Sequence, residues 1–196
     1  MTGGRGPQRE PQNGAENELG LEPDRVALAP WSLRWREAFA REREALCEAL
    51  GELPVAIEHV GSTAVPELPA KPILDIAVAV RDAVDALHCE PRLSALGYDY
   101  RGDMGRFGGH FFVKARARRA THHLHVVRAD DPQWSGYLLL RDHLVADTPA
   151  RRAYAECKRE LERRFPADRE AYTAGKAQVI LRLMAEALRG SPDASQ

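Results

Sequence analysis

The sequence predicts an α+β fold, a mixed central sheet of about five strands with helices packed on it. Three observations point there. Residues 73–80 read Ile-Leu-Asp-Ile-Ala-Val-Ala-Val, the near-continuous apolar run of a central strand covered on both faces. Other short strand-like runs lie upstream of Arg128, at 55–60, 98–101, 110–116 and 121–128. From Pro132 onward the apolar period changes to that of helices.

The elements follow in chain order. Residues 1–22 are rich in Gly, Pro, Gln, Asn and Glu and nearly empty of large apolar side chains, so a disordered tail is expected. The folded domain is expected over 23–190, with a loose end at 191–196. A short extended piece at 26–28 precedes a helix over 32–50, capped by Ser32 and ended by Gly51. Two short helices are expected at 81–87 and 91–96, separated at Pro91, with Gly97 as the stop. A turn near Arg118 and Arg119 joins the last two strands. Asp131-Pro132 supplies a cap and first-turn proline for a helix, and two more helices are expected over 149–164 and 168–188.

Composition removes several classes of function. The chain has 196 residues, 44% hydrophobic and 29% charged, enough for one core of ordinary size. Its formal charge of -1, from 28 basic and 29 acidic residues, lacks the basic excess of a general nucleic-acid binder. A small phosphorylated ligand needs only a local patch. Cys47, Cys89 and Cys157 are odd in number and widely spaced, without a CxxC, so free thiols in a reducing compartment are expected. No apolar run reaches the roughly 18 residues of a membrane span, and the N-terminal stretch lacks a signal-like apolar segment. The cytoplasm is the expected location.

Asp75 is the most informative position. Strand alternation puts Ile73, Asp75, Ala77 and Ala79 on one face and Leu74, Ile76, Val78 and Val80 on the other. The large aliphatic face must pack on helices, and the small neighbours leave room beside the carboxylate. A carboxylate in that setting needs a cation, a metal or several donors. Gly61-Ser62-Thr63 follows the first strand, where glycine permits close backbone approach and the hydroxyls can hold phosphate oxygens. Lys71, fixed by Pro72 just before the Asp75 strand, can meet an anion at the same end of the sheet. Alone, a Gly-Ser pair is most often an ordinary turn, and Lys71 alone reads as a solvated lysine.

A second cluster is Thr121-His122-His123-Leu124-His125, in which His123 and His125 share one strand face. Such a pair can bind a divalent metal, polarise a phosphate, or simply hydrogen-bond carboxylates. Glu58 and His59 face opposite ways, and Glu58 is assigned to the Asp75 side as a second metal-binding carboxylate. Arg106, beside Phe107 in a Gly-rich loop, is the candidate anion contact within the basic stretch that follows.

The segment Ile57-Glu58-His59-Val60-Gly61-Ser62-Thr63-Ala64-Val65-Pro66, with Leu68 and Ala70-Lys71-Pro72-Ile73-Leu74-Asp75-Ile76, resembles the signature of the GrpB family. Thr121 to Val127, Arg141-Asp142-His143-Leu144, and Tyr172 with Lys176 extend the resemblance, as do Leu28-Ala29-Pro30, Trp35 and Phe39. It covers residues 24–188. The resemblance implies a minimal nucleotidyltransferase-like fold of the DNA polymerase beta type. In those enzymes a Gly-Ser loop holds a triphosphate and carboxylates hold magnesium while an acceptor attacks the α-phosphate.

Carried onto this chain, Gly61 and Ser62 would cradle phosphate and Asp75 would hold magnesium or manganese. Glu58, His123 and His125 would complete the metal and catalytic set, and Thr63, Lys71 and Arg106 would bind the anion. Two departures stand out. The second acid of the superfamily is replaced by Ala77, and Glu67 stands where the family usually has glycine. The leading expectation is a metal-dependent nucleotidyltransferase acting on a nucleotide and a small acceptor. The alternatives are a non-catalytic ligand- or partner-binding module, like the domain fused to some dephospho-CoA kinases, and a metal hydrolase using the two histidines. The chain has no GxxxxGK[ST] phosphate loop, so kinase activity is not expected.

Overall fold

The computed structural model describes residues 19–103 and 109–190. Helix α1 (Leu33–Leu50) leads into β1 (Pro54–Val60), a single 3-10 turn (Ser62–Ala64) and β2 (Leu74–Val80). Then come α2 (Ala83–Ala95), β3 (Tyr98–Asp103), β4 (His110–Arg116) and β5 (Arg119–Arg128). Three helices close the chain: α3 (Pro132–Ala146), α4 (Thr148–Arg164) and α5 (Arg169–Gly190). The fold is α+β, as expected.

The five strands form one mixed sheet in the order β1-β2-β5-β4-β3, with β2 and β5 parallel and the other pairs antiparallel. Leu74, Ile76, Val78 and Val80, with Leu124 and Val126 of β5, are wholly buried against Trp35, Leu46 and Leu50 of α1 and Cys89 and Leu93 of α2. Each such side chain contributes roughly 1.5–3 kcal/mol, so this face is the main core. The opposite face carries Asp75, Ala77, His123 and His125 and is roofed by α3, which packs across β1, β2 and β5. Helices α4 and α5 pack on α3, and Val65 and Leu68 of the β1–β2 connection are wholly buried among them.

The capping expectations hold in detail. The Ser32 hydroxyl accepts from the Arg34 N–H, and the Gly51 N–H bonds the Cys47 carbonyl with φ of 62°. Asp131 caps α3 at the Gln133 N–H. The β4–β5 hairpin turns on two residues with positive φ, Ala117 (50°) and Arg118 (65°), the two-residue turn whose twist suits a hairpin.

Three expectations change, and the extended piece at 26–28 finds its partners. Residues 19–22 are not tail: Leu21 is 3% exposed and pairs with Ala120, while the Gly20 N–H bonds the Pro72 carbonyl. Residues 1–18 and 191–196 lie outside the described residues. The 26–28 piece joins no strand; the Val26 N–H bonds the Pro166 carbonyl and the Leu28 N–H the Glu162 carboxylate, so it straps the helical layer. The two short helices are one, α2, running through Pro91. An interior proline costs about 3 kcal/mol, but Cys89 and Leu93 on either side are both wholly buried, and their combined burial matches that cost. Strand β5 also begins at Arg119, two residues before its predicted start.

Candidate functional site

The parallel register of β2 and β5 sets Asp75 opposite His123 and Ala77 opposite His125, so all four residues share one face. His123 Nδ1 lies 3.1 Å from Asp75 Oδ1. Burial would raise the Asp75 pKa, but the His123 hydrogen bond and the charges of the imidazoles and Lys71 outweigh it and bring it to about 2. Asp75 is a firm anion.

Gly61 lies directly behind that carboxylate. It ends β1 with φ of 67°, and a Cβ on it would fall 2.5 Å from Asp75 Oδ2. The 3-10 turn then presents Ser62, which lines a cavity wall together with Tyr154 of α4. Thr63 also reaches the cavity wall, but its hydroxyl is 3.0 Å from His59 Nε2, on the other side of β1.

A cavity of about 270 Å³ opens beside Asp75, and a second of about 200 Å³ adjoins it under α3. Both share Ser62, Asp75, His125 and Lys176. The first is also lined by Lys71 and Lys158, so ammonium groups from three elements converge on one carboxylate. Burial, then repulsion from Lys176 and Arg169, brings Lys71 down to about 8, with Asp75 opposing. Burial likewise lowers Lys176, and lowers Lys158 further.

Two helical pairs build this cationic wall. Tyr154 and Lys158 on α4, and Tyr172 and Lys176 on α5, are each spaced i,i+4 and so share a helix face. The Lys158 and Lys176 ammonium groups lie 4.9 and 4.8 Å from the ring centres of Tyr154 and Tyr172. Lys71 approaches the Tyr172 ring at 5.4 Å. Lys158 is 1% exposed and donates to the Pro69 carbonyl. Close approach of the helices depends on Gly175, where a Cβ would meet Leu161 Cδ2 at 2.4 Å.

His125 stands between the Phe111 ring at 5.0 Å and the Tyr137 ring at 5.2 Å. Burial brings its pKa to about 4, Asp75 opposing and His123 reinforcing, so the ring is neutral at pH 7. Its Nδ1 is buried and has no hydrogen-bond partner among the described residues.

The structure thus brings together Asp75, His123, His125, Gly61, Ser62, Thr63 and Lys71. Glu58 lies on the same sheet face, opposite Ala77 in the register, but not at the cavity wall. Its carboxylate pairs at 2.7 Å with Arg141 of α3, which also bonds the His59 carbonyl. Arg106 lies outside the described residues. Lys158, Lys176, Tyr154 and Arg169 were not assigned to the site from sequence. The repeated Tyr-x-x-x-Lys spacing was the available signal.

A resident divalent metal does not fit this donor set. Asp75 Oδ1 is taken by His123, Glu58 by Arg141, and Ala77 is wholly buried where a second acid would stand. Three lysine ammonium groups would repel a cation there. Among the described residues, no group of three or more His, Cys, Asp or Glu side chains is arranged to hold one. No described helix is long and apolar enough to cross a membrane.

Comparison with known proteins matches residues 25–186 to the family described as GrpB protein. A UPF0157 protein of Pseudomonas aeruginosa is 42% identical over 168 residues, which is 84% of this chain and 69% of that protein. A dephospho-CoA kinase of Mycolicibacterium paratuberculosis is 31% identical over 77% of this chain, which spans 43% of the kinase. Among solved structures, the crystal structure of conserved protein GrpB from Enterococcus faecalis superposes with a TM-score of 0.77 at 30% identity, covering 83% of this chain and 98% of that one.

Proposed function

The chain belongs to the GrpB family, and from that premise we propose that its cavity binds the polyphosphate of a nucleotide-class ligand. One observation carries the reading: Lys71, Lys158 and Lys176 converge on a cavity that holds one carboxylate, in a chain whose overall charge is -1. Desolvated ammonium groups are costly to keep, and an anion arriving between them offsets that cost. Ser62 and the backbone after Gly61 add donors at the same wall. Binding raises the depressed lysine pKa values and so takes up protons.

Titration calorimetry with ATP in EDTA near pH 8, where Lys71 is about half protonated, repeated in buffers of different ionisation enthalpy, tests this. The expected result is metal-independent binding with proton uptake, weakened about thirtyfold or more in Lys176→Met, since removing one partner of a buried charge pair costs about 2–5 kcal/mol. Wild-type protein that ignores ATP, or binds it unchanged after Lys176→Met, overturns the reading.

A second reading is nucleotidyl transfer, favoured by the Asp75–His123 pair standing beside Ser62. There His123 would orient Asp75, and the carboxylate would take the proton of an acceptor hydroxyl at Oδ2. A divalent ion, if one is used, would arrive with the triphosphate and supply charge neutralisation at phosphate. Pyrophosphate release from ATP and magnesium, lost in Asp75→Asn, is the expected sign. Binding without release leaves a ligand-binding module. The hydrolase reading has less support, because His123 is committed to Asp75 and His125 is packed between two rings.

A further inference from the structure

We infer that the site is bipartite, with a second nucleoside subsite in the groove that continues from the cavity over β3, β4 and β5. This rests on the polyphosphate reading above and extends it to the size and class of the ligand, a dinucleoside polyphosphate.

The groove has a volume of about 610 Å³ and shares Lys71, Phe111, His123 and Thr173 with the cavity. The cavity of about 270 Å³ thus lies between this groove and the adjoining cavity of about 200 Å³ under α3. A polyphosphate anchored at the lysines therefore has space for a nucleoside at each end. Strand alternation puts Phe111 and Val113 on the His125 and His123 face, pairing them with those histidines across the β4–β5 ladder. The groove lining adds Ala115 and Ala120 to them. Val113 and Ala120 are packed against Leu21 and Ile73, so the floor is the half-buried Phe111 ring with Ala115 along it, a surface suited to the face of an aromatic base.

The rim is cationic. Arg101, Arg118 and Arg169 line the groove together with Lys71, and no carboxylate is among its described lining residues. Arg118 sits at the tip of the β4–β5 hairpin, held there by the positive-φ turn. Arg101 pairs with Asp99 at 3.2 Å in an exposed contact, the kind of pair that an incoming phosphate readily replaces. Planar guanidinium groups suit both phosphate oxygens and base faces. The ligand so described runs its phosphates from the lysines along the arginine rim and lays its second base on the strand floor.

The test compares ATP with diadenosine tetraphosphate, both in EDTA, on wild-type protein and on an Arg101→Ala/Arg118→Gly double variant. Glycine at 118 keeps the left-handed turn, and circular dichroism and melting confirm folding. The expected result is tetraphosphate binding at least tenfold tighter than ATP, with the advantage shrinking to twofold or less in the double variant while ATP affinity holds. Equal wild-type affinities, or an advantage that survives the double variant, overturn the second subsite while the lysine site stands. Failure of both ligands to bind wild-type protein overturns the lysine site, and the subsite with it.

Discussion

Gly61 and Asp75 are in contact so close that the first has no room for a side chain: a Cβ at 61 would lie 2.5 Å from Asp75 Oδ2 and 2.8 Å from its Cβ. The turn that ends β1 and the carboxylate of β2 are thus one unit. A strand end, not a solvent-filled gap, backs the anion.

Gly61→Ala should therefore fail on two grounds. Overpacking costs about 1–3 kcal/mol, and a left-handed alanine costs roughly 1 kcal/mol more. We expect a loss of roughly 2–4 kcal/mol in urea unfolding, together with weakened ATP binding as the Ser62 turn that follows Gly61 is displaced. A wild-type midpoint would mean that the turn relaxes without strain.

Asp75→Asn keeps the shape and removes the charge. The folded-state pKa of Asp75 is about 2, below its ordinary 3.8, so its contribution to stability is present above pH 3.8 and lost as pH falls through 2. The variant should show a flatter stability curve between those values. It should also bind ATP at least as tightly as wild type, since it removes a carboxylate from an anion site, while abolishing any transfer. Weaker ATP binding would assign Asp75 to the ligand rather than to an acceptor.

Three histidines set an earlier acid limb. His59, His122 and His125 are each brought from 6.5 to about 4, with burial the leading cause. The unfolded chain takes up protons at these rings between pH 6.5 and 4 and the folded chain does not. Their stabilisation is therefore complete above pH 6.5 and lost as pH falls toward 4. His59→Gln, which retains a hydrogen bond for Thr63, should make that loss shallower in pH-dependent urea midpoints. An unaltered slope would exclude a neutral, buried His59.

Lys71→Met should trade function for stability. Lys71 titrates near 8 in the fold against 10.5 in the unfolded chain, so the unfolded state holds more protons in that window and stability rises with pH through it. At pH 7 the charge is a burden. The variant should be more stable by about 1 kcal/mol, a melting-temperature rise of about 2–4 °C, and should bind ATP more weakly. A drop in melting temperature would show that the Asp75 attraction exceeds the desolvation cost.

Local chemistry was legible at several of these positions. The alternation of residues 73–80 separates the aliphatic core face from Asp75, and the structure keeps that division. His123 and His125 share the predicted face, and Glu58 is on it too. Glu67, which stands where the family resemblance implies glycine, has φ of 65°, in the left-handed region that glycine favours. It pairs there with Arg151 at 2.9 Å. What could not be read was partnership. Glu58 meets Arg141, 83 residues on, and that contact takes it from the cavity.

The sequence by itself determined the elements, their apolar faces and the family, because helix and strand periods, caps and turn residues act over a few neighbouring positions. Tertiary structure alone decided the site. The parallel register of β2 with β5 joins Asp75 to His123, and the packing of α4 on α5 at Gly175 joins Lys158 to Lys176. Those juxtapositions depend on distant segments docking, and their electrostatics on the water that docking removes, so neither exists until the chain has folded.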